Sequence, residues 1–124
     1  MISPQQVRHL VTAIPGARDD STDETLAFAC GERGFAWSFK QRDTPKGPRR
    51  PNLEVLAISC PLAQKDVLLE AAPDIYFTDP HYNGYPAVLA RLAVISEEEL
   101  AERLRAAYDF QAARPARRKR KPKA

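Results

Sequence analysis

The chain has 124 residues, 44% of them hydrophobic and 28% charged, with 19 basic and 16 acidic side chains and a net charge of +3. That length suits one domain that buries about two thirds of its unfolded surface, and the composition excludes wholesale disorder. The longest apolar runs fall well short of the ~18 residues of a membrane span, which excludes a transmembrane helix.

The net charge hides an asymmetry. Residues 114–124, RPARRKRKPKA, carry seven basic side chains and no acid, so residues 1–113 hold twelve basic and sixteen acidic groups. A block of like charge interrupted by prolines has no apolar area to bury, and disorder is expected for it. The predicted organisation is one domain over 1–113 followed by a basic tail over 114–124.

The first predicted element is a helix. Ser3 is its N-cap, Pro4 opens it and Gln6 completes a capping box, while Ile2 and Val7 are placed for a hydrophobic staple. Val7, Leu10, Val11 and Ile14 recur at helical spacing, and Pro15-Gly16 ends the stripe. Residues 17–24 read as polar turn. Two strands follow, at 25–30 and 34–40, joined by a tight turn over Gly31–Gly34. Alternation puts Phe35, Trp37 and Phe39 on one face of the second strand. Residues 41–52 contain three prolines and read as a loop.

A third strand spans 53–60, and Pro61 starts a helix that Ala71-Ala72-Pro73 stops. Short strands are predicted at 75–78 and 86–92, around the turn signal Asn83-Gly84. The closing helix begins at Ser96 with a Ser-x-x-Glu capping box, an Ile95/Leu100 staple and three acids in its first turn. Leu100, Leu104, Ala107, Tyr108 and Gln111 share one of its faces, and Glu99 and Arg103 are spaced for surface support. These elements predict an α+β two-layer sandwich. Its antiparallel sheet has about five strands, with helices near both termini and one between the third and fourth strands.

Residues 53–92 (LEVLAISCPLAQKDVLLEAAPDIYFTDPHYNGYPAVLARL), followed by SEEELAERLRAAYDF, resemble the MmcQ/YjbR family of small bacterial proteins. The likeness runs from Phe35 to Tyr108 and rests on the order of elements and the HYNGYPAVL segment. It implies a frataxin-like (CyaY-like) fold and DNA binding. Iron delivery, the other activity such a fold suggests, is disfavoured, because residues 4–14 contain no acid to form an acidic ridge.

Two basic features are candidates for nucleic-acid binding. Lys40, Arg42, Lys46, Arg49 and Arg50 face one acid, Asp43, in eleven residues. This segment reads either as a wing that grips phosphates or as a solvated loop. In the tail, Arg117, Arg118, Lys119, Arg120 and Lys121 attract any polyanion, and without aromatics they have no means of stacking on bases. The alternative is a solubilising extension.

The segment DPHYNGYP gathers Asp79, His81, Tyr82 and Tyr85, with Arg91 downstream, as a possible ligand or turn site. One His and one Asp are too few for a zinc site, and no second His stands at ligand spacing. The imidazole reads as an acid–base group or as a hydrogen-bonded prop of the turn, the tyrosines as filler between turn and sheet. His9 reads as a helix-boundary residue. There is no GxSxG nucleophile motif and no glycine-rich phosphate loop. Cys30 and Cys60 are expected to be buried, reduced thiols. With no secretory pattern at the N-terminus, a reducing cytoplasm is the expected location.

The leading expectation is therefore a non-enzymatic module, without cofactor or metal, that binds DNA or RNA weakly through backbone contacts. It would be a monomer away from membranes. The alternative is a protein-interaction domain, possible as a homodimer, with strand aromatics such as Trp37 facing outward.

Overall fold

The computed structural model describes residues 1–42 and 46–114. The helices are α1 (Pro4–Thr12), α2 (Leu62–Ala71) and α3 (Glu97–Ala113). The strands are β1 (Arg18–Asp19), β2 (Ala27–Cys30), β3 (Arg33–Arg42), β4 (Arg49–Ser59), β5 (Tyr76–Phe77) and β6 (Ala87–Arg91). They form one antiparallel sheet in the order β1-β2-β3-β4-β6-β5. All three helices contribute to the apolar layer on one face, so the molecule is the expected two-layer α+β sandwich.

The caps form where local sequence places them. Ser3 Oγ accepts from the Gln6 amide at 3.2 Å, and Gln6 Oε1 accepts from the Ser3 amide at 2.8 Å. Val7, Val11 and Ile14 are buried beneath α1, and Leu100, Leu104 and Ala107 beneath α3. The α3 capping box closes on one side only. Ser96 Oγ accepts from the Glu99 amide, but the Glu99 carboxylate turns away to accept the hydroxyl of buried Tyr76. Burial, then the Glu99 carboxylate, push the Tyr76 hydroxyl well above the usual tyrosine range.

Strand β1 lies in the segment expected to be turn. It is short, exposed and polar, so it has no alternation to betray it. Its pairing with Ala29 and Phe28 of β2 and the Arg8–Asp19 ion pair of 2.8 Å from α1 define it. The β2–β3 turn is the predicted tight hairpin. Gly31 has φ +60°, which the first central position of a type II′ turn requires.

Two irregularities reshape β3. Between Phe28 and Ala29 the register slips, so Ala36 faces Phe28 and Gly34 faces Ala29, with Phe35 as the extra residue. The bulge turns Phe35 into the helix-covered core, where its ring meets Tyr108 edge-on at 5.6 Å. Phe35 therefore parts from Trp37 and Phe39, which face the other way. The second irregularity sets Ser38 against Leu56 and Phe39 against Asn52, leaving residues 53–55 of β4 unmatched.

Beyond it the pairing resumes, from Phe39↔Asn52 to Arg42↔Arg49. Half of the expected 41–52 loop, residues 41–42 and 49–52, is thus part of a two-stranded ribbon, and residues 43–45 lie outside the described residues. Strand β6 pairs with β4 only over Val55–Ser59, so near the ribbon β4 has one neighbour, and Pro51 is tolerated there despite its missing donor.

Helix α1 stops at Thr12, short of the predicted Pro15-Gly16 stop, and Gly16 lies in the turn that follows, with φ +86° and a position where a built Cβ would lie 2.5 Å from the Tyr108 hydroxyl oxygen. Gly31 is also left-handed but has nothing within 4 Å. Gly31→Ala is expected to cost about 1 kcal/mol from backbone strain alone. Gly16→Ala is expected to cost about 2–3 kcal/mol, and Tyr108→Phe in that background to recover part of it. Thermal melts of the variants measure the difference.

Candidate functional site

The face of the sheet opposite the helices carries a second apolar cluster: Phe39, Ala57, Tyr82, Ala87 and Leu89, flanked by half-buried Trp37 and Phe77. No helix covers it. The cover is the segment between β5 and β6, which makes a 3₁₀ turn at Pro80–Tyr82. Asp79 caps this turn, its Oδ1 accepting the His81 amide at 3.0 Å, and Tyr82 is driven down onto Phe39, ring to ring at 5.9 Å. The Trp37 indole donates from Nε1 to the Tyr82 hydroxyl at 3.0 Å, tying strand to turn.

A buried ammonium pins this cover from behind. Lys65, on the second turn of α2, is only 3% exposed. Its Nζ donates to the carbonyls of Tyr82, at 2.5 Å, and Tyr85, at 3.1 Å. Burial pulls its pKa below the ordinary lysine value. Pro61 stands as the N-cap of α2 without a side-chain cap bond, and Leu62 and Val67 of that helix are exposed, so its apolar residues give no clean stripe. That irregular pattern was the one sequence signal that α2 turns a lysine inward.

Between turn and strand lies a cleft of about 290 Å³ lined by Trp37, His81, Tyr82 and Tyr85. Tyr85 is 49% exposed, and its ring stands nearly perpendicular to those of Trp37, at 6.4 Å, and Tyr82, at 6.0 Å. The structure thus divides the two tyrosines: Tyr82 fills the gap as expected, whereas Tyr85 forms an open wall. Among the described residues the His81 imidazole makes no hydrogen bond. It is the Asp79 carboxylate that props the turn, through the His81 backbone. Arg91 joins the same face. Its guanidinium lies 4.2 Å from the Phe77 ring centroid and donates to the carbonyls of Pro73 and Asp74.

Lys40, Lys46, Arg49 and Arg50 are exposed on or beside the β3–β4 ribbon. Arg42 pairs with Arg49 at its end. Strand alternation places Gln41, and Arg50 across from it, on the Phe39 face, and Lys40 and Arg49 on the other. The tail cations Arg117, Arg118, Lys119, Arg120 and Lys121 lie outside the described residues. Arg114 belongs to the end of α3, its guanidinium 5.7 Å from the Phe110 ring centroid. Among the described residues no three His, Cys, Asp or Glu side chains gather at metal-binding spacing, and no helix is long and apolar enough to cross a membrane.

Both cysteines are free. Cys30 is only half-buried, short of the expectation: it ends β2 one residue beyond the stretch that β1 pairs with. Cys60 is buried, and burial pushes its thiol up to about 11.

No family model matches the chain. The uncharacterised proteins Mb2600 of Mycobacterium bovis and Rv2570 of Mycobacterium tuberculosis are each 35% identical to it over 82 residues, which is 65% of this chain and 64% of theirs. The match therefore spans just under two thirds of these relatives. The crystal structure of Deinococcus radiodurans protein DR2400, a DUF419 domain, superposes with a TM-score of 0.64 at 22% identity, covering 91% of this chain and 80% of that one. At that identity the likeness is one of fold.

Lys65→Met keeps the length of the stem but leaves the two carbonyls without their ammonium donor. A stability loss of about 1–3 kcal/mol is expected. Trp37 emission should shift to the red in the folded state as the turn loosens; an unchanged spectrum would show that the turn holds without Lys65. For the thiols, alkylation of the native protein at pH 8 is expected at Cys30 and not at Cys60, whose raised pKa lowers its thiolate fraction by about 100-fold before shielding is counted. Peptide mapping after iodoacetamide reads this directly.

Proposed function

We propose that this chain is a non-enzymatic nucleic-acid-binding module of the MmcQ/YjbR kind, which holds the phosphate backbone through its β3–β4 ribbon and basic tail. The observation that carries the reading is the ribbon itself. It sets Lys40, Lys46, Arg49 and Arg50 in the open on or beside paired strands. Cations held on a projecting ribbon neutralise phosphates at less entropic cost than the same charges on a free loop. The rest of the domain is acidic, so affinity belongs to these local features. The free cysteines fit a reducing compartment, the cytoplasm. DNA and RNA both satisfy a backbone-directed contact, and weak sequence preference follows from it.

The second reading, a protein-interaction domain or homodimer, draws on the partly open aromatic face at Trp37 and Tyr85. Sedimentation separates the two, since a monomer across the working concentration range removes the homodimer.

Titration of labelled duplex DNA at several salt concentrations tests the leading reading. The full-length chain is expected to bind at low salt with log K falling linearly in log salt. Replacing Lys40, Lys46, Arg49 and Arg50 together by Gln should flatten the slope by about 0.9 for each phosphate no longer neutralised. Removing residues 115–124 isolates the tail's share. No binding at low salt ends the reading, and a slope abolished by the deletion alone would assign binding to the tail.

A further inference from the structure

We infer that the cleft between Trp37 and the 79–86 turn takes an unpaired nucleobase, so that the module prefers single-stranded nucleic acid to duplex. This rests on the backbone-binding reading above and deepens it. The walls of the cleft are rings: the Trp37 indole, the His81 imidazole and the Tyr82 and Tyr85 phenols. Its volume of about 290 Å³ is at the small end of ligand sites, the size of one planar heterocycle rather than a chain of side chains. The Trp37 nitrogen is already spent on Tyr82, whereas the His81 ring nitrogens hold no hydrogen bond among the described residues. The cleft thus offers aromatic ring surface beside polar groups, the His81 imidazole and the tyrosine hydroxyls, which suits a stacked base bonded at its rim.

Charge complementarity names the occupant. Trp37 lies on the strand that carries Phe39 and Gln41 out to the ribbon, and Arg50 stands opposite Gln41 on that same face. Trp37 and Gln41 stand four strand positions apart, roughly 13 Å. The Arg91 guanidinium sits on Phe77 beside this path. Asp79, which opens the turn, has its carboxylate turned to the His81 amide, and Glu32, beyond Tyr85, shares its own recess with Arg33 and Arg114. A polyanion running along β3 would therefore meet cations beyond the cleft and rings within it. In a duplex the bases are stacked on one another and cannot enter. The rigidity comes from Lys65 and the Trp37–Tyr82 bond, which fix the cleft before any ligand arrives.

Trp37 is the only tryptophan of the chain, so its emission reports on the cleft alone. The full-length protein is titrated with a short oligo-deoxythymidine strand and with a mixed-sequence duplex of equal length. The strand is expected to quench Trp37 saturably and the duplex to bind without quenching. Tyr85→Ala, at an exposed ring, should weaken strand binding by about 5- to 150-fold and leave duplex binding unchanged, while Tyr85→Phe keeps both. Binding of the strand with unchanged emission, equal binding by Tyr85→Ala, or no binding of the strand overturns the inference. The backbone reading fails separately. If the four-Gln ribbon variant binds strand and duplex as the parent does, the ribbon is dismissed while a quench that depends on Tyr85 still stands.

Discussion

The sheet has two apolar faces, and the helices among the described residues cover only one of them. That constraint organises the molecule. On the covered side, α1 and α3 bring regular stripes to the sheet, and the core there follows from burial alone. On the other side, Phe39, Ala57 and Leu89 would meet water, and a single turn takes the place of a layer. It does so because Lys65 reaches from α2 to hold its backbone and Tyr82 bonds across to Trp37. Burying an ammonium is costly unless its protons find acceptors, and two carbonyls at the end of a long flexible stem supply them.

This arrangement explains why the open face is both structured and accessible. A helix laid over it would have hidden Trp37. Lys65 and Trp37 instead hold a turn that leaves that face partly open. The turn closes the centre of the face with Tyr82 and leaves Tyr85 standing at the margin, half exposed. The ribbon extends from the same strands, and its tolerance of Pro51 and of like charges follows from β4 having no second neighbour there among the described residues. Stability and the candidate binding surface are thus carried by different residues. The charged positions of the ribbon contribute little to the core, so substitutions there read out binding without confounding loss of fold.

Much of the fold was legible from local chemistry. Ser3 with Gln6, Ser96 before an acidic turn, and the i, i+3, i+4 stripes of α1 and α3 are short-range signals, and the structure keeps each of them. The hairpin at Gly31 is equally local. What escaped was decided at long range. The polar strand β1 exists because Phe28 and Ala29 offer it a ladder and Arg8 an ion pair. Glu99 leaves its capping box for a tyrosine 23 residues away in sequence. Phe35 changes faces because of a bulge, which strict alternation along β3 does not anticipate.

The candidate site divides in the same way. Its residue types, a histidine and two tyrosines beside a turn signal, and the run of cations at 40–50, stood out in the sequence by composition alone. The sequence by itself determined the α+β class, the helix caps and the separation of a basic tail from an acidic body, because these depend on neighbours within a turn or two of chain. Only the tertiary structure decided that Lys65 is buried, that Tyr82 and Tyr85 have opposite fates, and that Trp37, Arg91 and the ribbon share the open side of one sheet. Those facts depend on strand order and register, which bring together residues far apart in sequence, as Trp37 and Tyr82, 45 positions apart, are. No local pattern encodes that pairing.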